Sequence, residues 1–142
     1  MPWLRPLPLL LWFACWARLG ATDNVIVPPL QTSIYLASIT LVPGVFVREG
    51  DTYTATYEVK VWPWIFWGET GRATIRIPAA DLARAKRGET VNFRGEGINQ
   101  KKRLRKLTGR VQPDNAGSGK IKIRITADGY TLVFNGTYRF AH

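Results

Sequence analysis

The chain has 142 residues and is strongly basic, with 20 Lys and Arg against 10 Asp and Glu, and it contains one cysteine and one histidine. Because the cysteine is at position 15 and the histidine at position 142, the composition disfavours a disulfide-stapled fold, a cysteine nucleophile and most histidine-based acid–base and zinc chemistry. We therefore expect apolar burial and sheet hydrogen bonds to stabilise the domain, and we expect neither a cofactor nor a metal.

Residues 1–21 have the layout of a secretory signal peptide. Arg5 precedes an apolar run over residues 7–17, and small residues follow up to Ala21. This run is shorter than the roughly 20 apolar residues that a membrane-spanning helix needs. We expect cleavage after Ala21, a secreted or periplasmic location, and a single mature domain over residues 22–142 without a membrane span. The alternatives are cleavage after Ala17 and lipid attachment at Cys15, which the bulky Trp12 and Phe13 disfavour.

The first half of the mature chain predicts strands joined by turns. The segment Ser33–Val42 is apolar on both faces and β-branched, which favours a central strand covered on both sides. The segment Thr52–Val61 alternates between apolar and polar residues, and Tyr53 is on its apolar face. The segment Arg72–Ile77 alternates in the same way, so we expect the two alternating strands to form a hairpin.

One short helix is predicted over residues 78–87. Pro78 suits its first turn, and Gly88 is placed to end it. Its main apolar residue is Leu82, so we expect the helix to lie on the sheet or to cap one end of it.

Four further strands are predicted after the helix, namely Thr90–Gly97, Arg103–Gln112, Lys120–Thr126 and Tyr130–Phe140. In the first of them, Gly95 and Gly97 indicate a bulge or a close backbone approach. In the second, Leu104 and Leu107 are three residues apart, so we expect an irregularity between them. The pair Asp128-Gly129 is favoured in two-residue hairpin turns.

These elements predict an all-β domain. Their number and spacing favour an antiparallel β-sandwich or a small β-barrel of about eight short strands, with one short connecting helix. The sequence does not distinguish the two architectures.

An aromatic cluster follows the strand predicted at 52–61. If the period of two continues, Trp62, Trp64 and Phe66 project from the polar face of that strand. Together with Trp67 they are candidate ligand-binding residues, because flat aromatic faces stack on sugars and bases. We favour burial of this cluster under the helix or a crossing loop, since exposed apolar patches are uncommon on soluble monomers.

The positive charge is concentrated in the last third of the chain. Residues 22–100 carry eight Lys and Arg and eight Asp and Glu, whereas residues 101–142 carry ten cations against two acids. Two sets of cations are candidate anion-binding residues: Lys101, Lys102, Arg103, Arg105 and Lys106, and Lys120, Lys122 and Arg124. We favour the alternative that these cations protect an edge strand from pairing with another chain. Anion binding gains weight if the two sets lie on neighbouring strands.

The sequence favours a binding role. Glu58 and Glu69 flank the aromatic cluster, and a carboxylate pair beside aromatic residues is what a glycosidase needs, but no nucleophile motif accompanies them. We interpret the protein as an exported, non-catalytic binding or envelope-associated module whose partner is an anionic glycan, a lipid headgroup or another polyanion. Two alternatives stay open: a small outer-membrane β-barrel, and a structural subunit whose aromatic strip is buried against a protein partner.

Overall fold

The computed structural model describes residues 23–141, so the predicted signal peptide lies outside the described residues, as do Thr22 and His142. Most of the described residues belong to ten strands: β1 (Val25–Ile26), β2 (Leu30–Ile34), β3 (Ala37–Pro43), β4 (Val47–Glu49), β5 (Thr52–Trp62), β6 (Glu69–Arg76), β7 (Val91–Asn99), β8 (Leu104–Pro113), β9 (Ser118–Ala127) and β10 (Tyr130–Phe140). One helix, α1 (Ala79–Lys86), joins β6 to β7, and one 3₁₀ turn covers Ile65–Trp67.

The strands form one curled antiparallel sheet in the order β1-β10-β9-β8-β7-β6-β5-β3-β2, with β4 paired to β5. The backbone N–H groups of Val25 and Phe46 each donate to the other residue's carbonyl oxygen at 2.9 Å, which links β1 to the segment ahead of β4. The longest strands, β5 and β10, have 11 residues each. The predicted all-β class with one short helix is therefore confirmed, with ten strands instead of about eight.

The apolar core lies on the inner side of the curled sheet. In β5, Tyr53, Ala55 and Val61 are buried between outward-facing polar residues, which confirms the alternation predicted for this strand. Strand β9 alternates as strictly, with three isoleucines inward and three cations outward. Helix α1 buries Leu82 and Ala85 at one end of this interior, in agreement with a capping helix anchored by Leu82.

The predicted central strand Ser33–Val42 is wrong. The chain instead forms the hairpin β2–β3, whose turn is made by Tyr35 and Leu36, with a left-handed φ of 52° at Tyr35. These turn residues are 92% and 86% exposed. The sequence of Ser33–Val42 is apolar at both odd and even positions because the segment contains inward residues of two strands and, between them, an exposed apolar turn.

Strand β8 is regular, and the irregularity predicted between Leu104 and Leu107 does not exist. The pairing of β8 with β7 is continuous through both residues. Leu104 faces outward, and Arg105 occupies the inward position beside it. The leucine spacing of three therefore arises from one leucine on each face of an ordinary strand.

Strand β7 is likewise continuous through its two glycines, so the bulge alternative is wrong. The close backbone approach is present, since a Cβ atom on Gly95 would clash with the carbonyl oxygen of Thr74. The hairpin turn predicted at Asp128-Gly129 joins β9 to β10, and its φ angles of 49° and 82° are those of a type I′ turn.

The two ends of the sheet carry different structures. At one end, which we call the loop end, lie the β2–β3 turn, the β5–β6 loop, the β7–β8 loop and the β9–β10 turn. Helix α1 lies at the other end, between β6 and β7. Because the aromatic cluster is in the β5–β6 loop, α1 is too far away to cover it.

Candidate binding surfaces

The basic strands β8 and β9 lie side by side within the sheet. Strand β8 pairs with β7 and β9, and β9 pairs with β8 and β10. Neither is an edge strand, so the interpretation of their cations as edge protection is wrong. On the outer faces of these two strands, Lys106, Lys120, Lys122 and Arg124 are exposed. The strands that carry the two basic sets are neighbours, as anion binding required, but of the first set only Lys106 lies on the outer face of β8.

Five cations from four strands surround one shallow depression on the outer side of the sheet. The strand register places Arg76 opposite Arg94, and Arg110 opposite Lys122. Arg124 lies two residues beyond Lys122 on the same strand. The depression has a volume of about 670 Å³ and is lined by all five side chains. We call this set, Arg76, Arg94, Arg110, Lys122 and Arg124, the basic face.

Like charges stand directly opposite one another on the basic face. Arg76 lies opposite Arg94, and Arg110 lies opposite Lys122. Like charges that face each other across two strands repel and destabilise the pairing. Within residues 23–141, no carboxylate oxygen lies within 4.0 Å of these cations. The Nε of Arg110 donates to the Oδ1 of Asn92 at 3.3 Å, which orients the guanidinium without neutralising it. A bound anion would offset this repulsion.

The spacing of the basic face suits an extended ligand. Neighbouring strands are about 4.8 Å apart, so the row from Arg76 on β6 to Arg124 on β9 spans about 14 Å. Residues two apart on one strand, such as Lys122 and Arg124, are separated by about 6.8 Å. A ligand with several anionic groups in succession can therefore meet several cations at once.

Arg105 does not belong to this surface. The residue is only 8% exposed, and its side chain lies on the inner side of the sheet. Its Nε and Nη2 donate to the carboxylate of Glu69 at 3.3 and 3.1 Å, and its Nη1 lies 3.3 Å from Asp128. The prediction that Arg105 is a solvated anion-binding residue is wrong, because this side chain neutralises a carboxylate of the same chain.

A polar network centred on Glu69 ties three segments of the loop end together. Glu69 follows the β5–β6 loop, Asn99 precedes the β7–β8 loop, and Asp128 is in the β9–β10 turn. The Nδ2 of Asn99 donates to Glu69 at 2.9 Å, and its Oδ1 accepts from the backbone N–H groups of Lys101 and Arg103. The network therefore fixes the basic β7–β8 loop relative to the aromatic β5–β6 loop.

Glu69 also shifts the pKa of two neighbouring side chains. A hydrogen bond with Glu69 raises the pKa of Arg105, and burial together with the Glu69 charge raises the pKa of Tyr57 to about 12. Glu58 is exposed on the outer side of β5, whereas Glu69 contacts Arg105 on the inner side. Both residues line one cleft of about 570 Å³, but the carboxylate of Glu69 is engaged by Arg105 and Asn99.

The aromatic cluster is exposed, so the favoured interpretation that it is buried is wrong. Trp62, Phe66 and Trp67 are 70%, 75% and 59% exposed, and Trp64 is partly buried against the core. Trp64 and Trp67 stack with ring centroids 5.2 Å apart, and Phe66 contacts Trp67 edge-on at 5.7 Å. The cluster presents flat aromatic surfaces at the loop end.

Lys101, Lys102 and Arg103 lie in the exposed β7–β8 loop at the same end. A cleft of about 570 Å³ is lined by Trp62 and also by Gln100, the residue ahead of Lys101. The structure thus separates the predicted site residues into two surfaces. The aromatic cluster and the first three cations share the loop end, whereas the cations of β9 contribute to the outer side of the sheet.

Three arginines of the basic face, Arg76, Arg94 and Arg110, were not predicted as site residues. Each occupies an outward position on an alternating strand, where a single charge is ordinary. Only the register across β6, β7, β8 and β9 brings them to one depression. The one signal in the sequence is the recurrence of arginine at outward positions of successive strands.

No family model, curated protein or solved structure matches the chain. Among residues 23–141, no helix has both the length and the apolar character required to cross a membrane. Over the same described range, His, Cys, Asp and Glu side chains do not gather into a group of three that could hold a metal ion.

Proposed function

We propose that the protein is a non-catalytic binding module that holds an extended anionic polymer across the basic face. The observation that carries this proposal is the gathering of five cations around one depression, with no carboxylate partner among the described residues. Four of the five are arginines, whose planar guanidinium can donate two parallel hydrogen bonds to one anionic group. A sulfated, phosphorylated or uronic-acid polymer offers such groups in succession.

The contrast between the two sides of the sheet supports this function. The inner side is apolar apart from the Glu69 network at the loop end, and the outer side of β6 to β9 carries mainly Arg, Lys and Thr residues, together with Glu96, Ile98 and Leu104. An outer side of this kind suits contact with water and polar ligands, whereas a sheet that faces lipid needs an apolar outer side. The export predicted from residues 1–21 would bring the basic face to polymers of the cell envelope or the surrounding medium.

The proposal is tested by titration with heparin, a sulfated glycan, with neutral dextran as the negative control. The variant Arg110→Gln/Lys122→Gln removes two directly opposed cations from the basic face. We expect its Kd for heparin to rise about tenfold or more, since hydrogen bonds to charged groups contribute about 1.5–3 kcal/mol each. The matched control, Lys101→Gln/Lys102→Gln, removes the same charge from the loop end and should change the Kd much less.

The salt dependence of the Kd for heparin provides a second test of binding at the basic face. Added salt should weaken binding of the wild-type protein, and the slope of log Kd against log salt should become shallower in the basic-face variant. Equal losses of affinity in the two variants would show that net charge alone attracts the polymer. That result would refute a binding site on the basic face.

A further inference from the structure

Exposed apolar side chains are concentrated at the loop end. Of the eleven large apolar side chains that are exposed within residues 23–141, nine lie at this end. Six of them lie in the β2–β3 turn, in the β5–β6 loop or at Trp62, the last residue of β5. They are 59% to 92% exposed. We call these six, Tyr35, Leu36, Trp62, Ile65, Phe66 and Trp67, the apolar tip.

The apolar tip protrudes from the rest of the sheet. Strand β5 pairs with β3 as far as Trp62 opposite Ser38, three residues beyond Val59, which is the last residue of β5 paired with β6. At about 3.4 Å per residue, this extension carries Trp62 and the adjoining β2–β3 turn about 10 Å past the β5–β6 pairing, and Ile65, Phe66 and Trp67 lie on the segment that returns to Glu69. A protrusion of this height matches the depth of about 5–10 Å at which interfacial segments insert into a bilayer.

Cations flank the apolar tip. Within residues 23–141, Lys101 and Lys102 have no carboxylate within 4.0 Å, and Arg103 has only Asp128 at that limit. The hydrogen bonds of Asn99 hold this basic loop in place. Aromatic residues favour the bilayer–water interface, and cations beside them favour anionic headgroups.

We propose that the loop end docks on an anionic lipid bilayer, with the apolar tip among the headgroups and upper acyl chains and with Lys101, Lys102 and Arg103 on anionic headgroups. This goes beyond polymer binding, because it uses a different surface from the basic face. A second copy of the chain fits the loop end less well. A two-fold interface there would bring the two basic loops together, and their like charges would repel.

The test measures partition of the full chain into vesicles of phosphatidylcholine alone or mixed with phosphatidylglycerol. Acyl-brominated lipids in the same vesicles quench the fluorescence of any tryptophan that inserts. The variant Ile65→Ser/Phe66→Ser keeps every tryptophan, and its control is Val45→Ser/Val47→Ser, which changes two exposed apolar residues at the other end. We expect the first variant to lose partition about tenfold and the control to bind like the wild type.

A second pair of variants tests the charges. Lys101→Gln/Lys102→Gln should lower partition into the anionic vesicles by about fivefold for each charge removed and leave partition into neutral vesicles unchanged. Arg139→Gln, at the other end of the sheet, is the control.

Three outcomes would overturn the proposal. The first is vesicle binding without quenching by brominated lipid, and the second is equal loss in Ile65→Ser/Phe66→Ser and its control. The third is absence of vesicle binding combined with concentration-dependent self-association that Ile65→Ser/Phe66→Ser abolishes. This third result would assign the loop end to a second copy of the chain.

Discussion

Arg105 and Lys106 are neighbours on β8, but Arg105 is buried and Lys106 is exposed, so substitution by glutamine should destabilise the fold at Arg105 only. Arg105→Gln removes the inward guanidinium that pairs with Glu69. Removal of one partner of a buried ion pair costs about 3–5 kcal/mol. Because the Glu69 side chain is 18% exposed and keeps its hydrogen bond from Asn99, we expect a loss of about 2–3 kcal/mol in the free energy of unfolding.

The matched control is Lys106→Gln, which removes the same charge from the outer side of the strand. Lys106 is exposed, so the expected change is within about 0.5 kcal/mol. Urea unfolding followed by circular dichroism gives both values. Addition of Glu69→Gln to Arg105→Gln should recover part of the loss, because the uncompensated carboxylate is then removed. Equal stabilities for Arg105→Gln and Lys106→Gln would refute the assignment of Arg105 to a buried pair.

Two further predictions concern pH and packing. Burial and the neighbouring Glu69 raise the pKa of Tyr57 from 10.0 to about 12, so the folded state holds this proton more tightly than the unfolded state. Relative to Tyr57→Phe, the wild-type free energy of unfolding should fall as pH rises from about 10 to about 12, and parallel curves would contradict this. Gly109→Ala places a Cβ atom against the Phe93 ring and should cost about 1–3 kcal/mol, whereas Gly117→Ala, whose Cβ atom would meet only the Oδ1 of Asn115 at 3.6 Å, should be neutral in the same urea assay.

Local sequence patterns correctly predicted the strands that combine a regular apolar–polar alternation with recognisable turn residues. The period of two over β5 and β9, the helix that follows Pro78 and the turn at Asp128-Gly129 depend on neighbouring residues only. The hairpin at Tyr35 was missed because its turn lacks Gly, Pro, Asn and Asp. An apolar turn cannot be told from a strand interior by composition.

The binding surfaces depend on contacts between distant residues. The sequence does not distinguish Arg105 from the other cations of residues 101–106, because its partner Glu69 is 36 residues away. The exposure of Trp62 depends on which end of the sheet α1 occupies. The basic face depends on the register of four strands, and no local pattern in the sequence specifies that register.

The most direct test of the polymer-binding account is a map of the surface that a heparin oligosaccharide contacts, obtained from amide chemical-shift changes in an NMR titration. We expect the largest changes on β6, β7, β8 and β9 around the basic face, at residues such as Arg94, Arg110 and Lys122. These changes should disappear in Arg110→Gln/Lys122→Gln while the rest of the spectrum is retained. Changes confined to the loop end, or spread evenly over all exposed cations, would contradict binding at the basic face.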